Sequence, residues 1–110
     1  MVIRIGTLLL TLGLGAASTA AAQDATAGAK VFADQKCSLC HSIAGKGNLK
    51  GPLDGVGSTL SEGVMRSWIN DAKSMTAKTG ATRKPEMKAY MLEKHDVDAL
   101  VAYLSTLKKK

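Results

Sequence analysis

Cys37-Ser38-Leu39-Cys40-His41 is the stretch that decides how this chain is read. Its Cys-x-x-Cys-His pattern is the attachment signature of c-type haem. Two thiols add across the two vinyl groups of the porphyrin, and the adjacent imidazole reaches the iron. The spacing suits that chemistry, because positions i, i+3 and i+4 share one face of a helical turn. Both cysteines of the chain and one of its two histidines fall inside this run. Other chemistries fit these residues less well. A structural zinc site needs four Cys or His ligands in two spaced pairs, and only His95 is left to join. A thioredoxin-like redox pair belongs in a βαβ setting, and no strand runs are present to build one. A disulfide between Cys37 and Cys40 closes a very short loop and adds little stability.

Before the motif, the chain opens with Arg4, an apolar run from Ile5 to Ala17, and a small-residue site, Ala20-Ala21-Ala22-Gln23. This reads as a cleavable secretory signal over residues 1–22, cut after Ala22, with Ala20 as the alternative. The apolar run is short for a bilayer span. The expected location is therefore the periplasm, or otherwise outside the cytoplasm. Any membrane contact is expected only through partner complexes.

Residues 23–110 make one small domain. Domains of this size bury a limited core and often need a staple. Large side chains are scarce: Phe32, Trp68, Tyr90 and Tyr103 are the aromatics. A covalently held porphyrin supplies the missing apolar body, so the haem-free chain is expected to be largely unfolded. The net charge is +6, with 15 Lys and Arg against 9 Asp and Glu. Such a balance suits nucleic acid or an acidic protein; export and haem favour the protein and exclude nucleic acid. The closing Lys108-Lys109-Lys110 is expected to be a frayed tail.

Helical patterning runs through the domain. Residues 24–36 suit a first helix, capped by Asp24 or Thr26, with Gly28, Val31, Phe32 and Gln35 on one stripe. Residues 42–60 are glycine-rich and irregular. Ser61, or Thr59 with Glu62 at capping-box spacing, opens a second helix to about Ala72. Its apolar face is Val64, Met65, Trp68, Ile69 and Ala72. Residues 73–91 read as a polar loop, long enough in so small a domain to have a job. A last helix spans about 94–107, with Val97, Leu100, Val101, Leu104 and Leu107 in register. The fold class is all-α.

In its order of parts the domain resembles class I cytochrome c, a small monohaem helical electron carrier wrapped around one covalently attached haem c. The resemblance covers nearly all of residues 23–110 and implies a cytochrome c domain, monomeric and not an enzyme. Gly51-Pro52-Leu53-Asp54-Gly55-Val56-Gly57 is similar to the family's loop after the haem-binding histidine. By that likeness the Pro52 carbonyl accepts a hydrogen bond from the second ring nitrogen of His41. Gly28 and Phe32, with Tyr103 and Leu104, resemble the family's crossing of first and last helices. Arg83-Lys84-Pro85-Glu86-Met87-Lys88 resembles the ligand loop, although Lys88 stands where many relatives have proline. The resemblance makes His41 and Met87 the axial metal ligands.

Met91 and Met75 are the competing sulfur donors, and Met65 belongs on the core face of its helix. His95 falls among Glu93, Lys94, Asp96 and Asp98, a solvent-facing string. Trp68 and Tyr90 are candidates for contact with the haem. Filled axial positions imply pure electron transfer. Lys36, Lys46, Lys50, Arg83, Lys84 and Lys88 are placed to steer an acidic reductase, dehydrogenase or terminal oxidase onto the haem edge. Two other functions stay open: a gas sensor or peroxidase-like enzyme with an open sixth position, and a dedicated haem subunit of a larger complex.

Overall fold

Val97, Leu100, Val101 and Leu104 recur at helical spacing, and all four are buried. They form the inner face of the last helix, and the rest of the chain is laid against it. The computed structural model describes residues 19–110. Of the expected signal, residues 1–18 lie outside the described residues. The elements in chain order are α1 (Thr19–Asp34), a 3-10 turn (Cys37–Leu39), β1 (Ser42–Ile43), β2 (Lys46–Gly47), α2 (Val56–Thr59), α3 (Glu62–Asn70), α4 (Ala72–Thr79) and α5 (Lys94–Ser105). The fold is all-α in character; its sheet is one antiparallel hairpin pairing Ser42 with Gly47 and Ile43 with Lys46. Among the described residues no helix is long and apolar enough to cross a membrane.

The first helix begins at Thr19, upstream of the expected start, so Asp24 and Thr26 lie inside it rather than capping it. It also ends earlier. Lys36 adopts a left-handed conformation, φ 56°, and turns the chain into the Cys37–Leu39 segment. α1 packs most extensively on α5. Gly28 is buried at that crossing. A Cβ there would overlap the Ala99 carbonyl and the Cβ of Tyr103, so only glycine lets the two backbones meet. Phe32 sets its ring edge-on to Tyr103, with centroids 6.0 Å apart and planes at 85°. The crossing expected from Gly28, Phe32, Tyr103 and Leu104 is present.

α3 starts where its cap says it should. The Ser61 hydroxyl accepts the Val64 N–H at 3.3 Å, satisfying one of the donors left over at a helix start. Met65 and Ile69 point inward and join the α5 seam. Arg66 reaches from α3 to the Asp98 carboxylate of α5, which Lys94 also binds. The expected single helix to Ala72 is instead broken at Asp71, whose φ of −146° and ψ of 52° leave the helical region. Ala72 then opens α4 and is fully buried. The expected polar loop over 73–91 is thus partly helical. Gly80, at φ 67°, closes α4 in the left-handed conformation. Residues 81–93 then return beneath α3, fastened by the Tyr90 N–H to the Ile69 carbonyl at 2.9 Å.

The C-terminus is not frayed. Gly57 N–H donates to the Leu107 carbonyl at 2.9 Å. The Lys108 ammonium donates to the Gly57 carbonyl at 2.8 Å, and the Lys109 N–H donates to the Ser58 hydroxyl at 2.9 Å. Lys108 and Lys109 are held at α2 by the Gly57 carbonyl and the Ser58 hydroxyl, which helix periodicity and charge do not report.

Candidate haem-binding site

The motif residues are positioned by a tight turn. The Cys40 and His41 N–H groups both donate to the Cys37 carbonyl, at 3.1 and 2.9 Å. Asn48 pins this turn from the side: its backbone N–H meets the Ser38 and His41 carbonyls, and its side-chain amide donates to the Leu39 carbonyl at 3.1 Å. Cys37, Cys40 and His41 consequently line one cavity of about 680 Å³. That volume lies within the roughly 300–1,000 Å³ typical of cofactor and ligand sites. Apolar walls come from Phe32, Leu53, Leu60, Trp68, Ile69 and Leu100. The cysteines are not joined to each other. Burial pushes the Cys37 thiol up from its ordinary range.

His41 Nδ1 lies 3.1 Å from the Gly51 carbonyl oxygen. A carbonyl only accepts, so Nδ1 carries the proton and Nε2 keeps a free lone pair for a metal. Here the expectation for Pro52 is corrected: the accepting carbonyl is that of Gly51, one residue earlier. Pro52 itself is exposed and forms a parallel bridge with Ser42. The Ser42 N–H also binds the Gly51 carbonyl, at 3.0 Å, and the Leu53 N–H binds the Ser42 carbonyl at 2.9 Å. Ser42 is 2% exposed, and pairing both its backbone groups this way turns Gly51 rather than Pro52 toward the imidazole. Burial holds His41 below the ordinary imidazole range; the Gly51 hydrogen bond opposes this and the Arg83 charge adds to it.

The returning segment after α4 brings Arg83, Pro85, Glu86, Met87 and Lys88 to the same cavity. Met87 therefore shares the cavity with His41. Met91 is 100% exposed and is not in the lining. Met75 also lies outside it, and Met65 lines it from within the core, with its sulfur 3.9 Å from the Ser105 hydroxyl. His95 is exposed and pairs with Glu93 and Asp96, each at 3.3 Å, away from the cavity. Trp68 and Tyr90 both line it. Burial raises the Tyr90 phenol, and the Lys88 ammonium lies 5.1 Å from the centroid of its ring. Among the described residues no three His, Cys, Asp or Glu groups converge as an ionic metal cage requires.

The donor set fits a covalent porphyrin: two thiols and one imidazole with a free lone pair on one apolar cavity, plus a thioether on the returning loop. The sequence comparison agrees. The family profile for cytochrome c matches residues 25–108, and the chain belongs to the cytochrome c family. That family carries covalently bound haem c and serves electron transfer. Comparisons with curated proteins and with solved structures returned no match.

Sequence reasoning missed two contributors. Asn48 carries no motif signal, because its role arises only once the turn is folded. Gly51 was hidden beside the more conspicuous Pro52.

Proposed function

We propose that this protein is an exported single-electron carrier with one haem c, held through Cys37 and Cys40 and ligated by His41 and Met87. When bound, the haem supplies one reversible electron at iron. The carrying observation is that Met87 shares the cavity of His41, whereas Met91 is fully exposed and Met75 is outside the lining. His41 offers Nε2 because the Gly51 carbonyl holds the proton on Nδ1. A fixed imidazole is a stronger and better-oriented donor. The Met87 thioether is soft and favours the reduced metal, which raises the potential. Phe32, Leu60, Trp68 and Leu100 exclude water from the cavity wall and keep charge reorganisation small.

With His41 and Met87 both holding the iron, small ligands would have no entry to it. Carbon monoxide added to the reduced holoprotein is expected to leave its spectrum unchanged over minutes. Prompt binding would instead favour the sensor or peroxidase reading.

Partner docking follows from the cavity mouth. Lys36, Arg83 and Lys88 line it, and Lys46 and Lys50 are exposed on the adjoining hairpin and loop. Leu39, at 69% exposed, sits among them. An acidic redox protein is the partner this surface suits, with attraction speeding encounter. Electron transfer to such a partner is expected to slow as salt rises; salt-independent rates would contradict the docking proposal.

A further inference from the structure

Arg83 has a position that docking does not require. At Gly51, the space a Cβ would take is filled by the Arg83 guanidinium and by the Cys40 carbonyl. Gly51 is the residue whose carbonyl holds the His41 ring. Arg83 also lines the cavity, and Asp and Glu partners for it are absent from the ion pairs among the described residues. By contrast, the neighbouring Lys84 is paired with Glu86 at 2.8 Å.

We infer that Arg83 is a positioning residue for His41: its guanidinium seats on Gly51, fixes the carbonyl that orients the imidazole, and keeps a positive charge at the redox site. This rests on the haem reading above but not on Met87 as a ligand. The sign follows from electrostatics. Ferric haem carries one more positive charge than ferrous haem, so a nearby cation favours the reduced form. Removing it lowers the reduction potential. Arg83 lines the cavity but is exposed, and a unit charge so shielded by solvent changes an equilibrium by about tenfold, which for one electron is about 59 mV.

The test compares the holoprotein with its Arg83→Gln, Arg83→Lys and Lys110→Gln variants. Each is read by redox titration, by the proton resonance of His41 Nδ1–H in the reduced state, and by the sulfur-to-iron charge-transfer band. Arg83→Gln is expected to shift the ferric/ferrous equilibrium about tenfold toward ferric and to move the Nδ1–H resonance. Arg83→Lys should recover most of the potential, because the charge returns, but not the resonance, because the planar head does not. Lys110→Gln, a remote charge of the same sign, should change neither. Unchanged potential and resonance in Arg83→Gln would overturn the proposal, and so would a shift matched by Lys110→Gln. A charge-transfer band lost only in Arg83→Gln would overturn it too, since Arg83 would then act on the methionine loop. A parent protein without the band removes Met87 as ligand and leaves the potential and resonance comparison intact.

Discussion

Residue 28 has room for a hydrogen and nothing more, because the Ala99 backbone and Tyr103 occupy the place of a side chain. Gly28→Val is expected to cost about 1–3 kcal/mol through overpacking. Denaturant unfolding of the holoprotein would show this as a lower midpoint with an unchanged slope. This position was legible through the likeness of Gly28, Phe32, Tyr103 and Leu104 to the family's helix crossing; the stripe alone placed Gly28 on the inner face without asking for a close approach. The acceptor for His41 was not legible. Pro52 draws attention, but which carbonyl faces the imidazole is set by the pairing of Ser42 with Gly51 and Leu53, a contact across about ten residues that no local pattern encodes. The proposed choice of Met87 comes from the likeness of Pro85-Glu86-Met87 to the family's ligand loop, and the exposure of Met91 supports it.

At the scale of elements, α3 depends on Ser61. Ser61→Ala is expected to lower stability by about 1 kcal/mol and Ser61→Gly by only a few tenths, measured by the same unfolding experiment. α3 and α5 are tied by Asp98, whose carboxyl is held below the usual range by Lys94 first and Arg66 second. A carboxyl with a lowered folded pKa stabilises the fold above its unfolded pKa, near ~3.9, and loses that contribution as the pH falls through the folded value. The acid side of the stability profile should therefore be shallower in Asp98→Asn, with the two proteins converging at low pH. A difference that persists below both pKa values would assign the effect to packing. Helices α3 and α5 were legible because Met65 and Ile69, and Val97 through Leu104, repeat at helical spacing. α4 was not, because Ala72 is its one buried residue and its other apolar residues, Met75 and Ala77, stand among lysine, serine and threonine. It holds through the break at Asp71 and the left-handed Gly80, and it has no stripe of its own to announce it.

For the molecule as a whole, the cavity lies against the core, with Met65, Ile69, Leu100 and Leu104 belonging to both. Without the haem, the apolar side chains of that cavity face water instead of a porphyrin, and the burial they would contribute is lost. Small domains have only about 5–15 kcal/mol in total. The haem-free chain is therefore expected to show little helix by circular dichroism and no cooperative melt; a cooperative, helical apoprotein would contradict this. The haem supplies the body that Phe32, Trp68, Tyr90 and Tyr103 are too few to provide. The same dependence explains why the motif, more than any helix pattern, decided the fold.

The central claim, ligation by His41 and Met87, is tested most directly by the visible and near-infrared spectrum of the oxidised holoprotein and of Met87→Ala. The account predicts a weak sulfur-to-iron charge-transfer band in the parent and its loss in the variant. A band that survives Met87→Ala, or a parent without one, would contradict it.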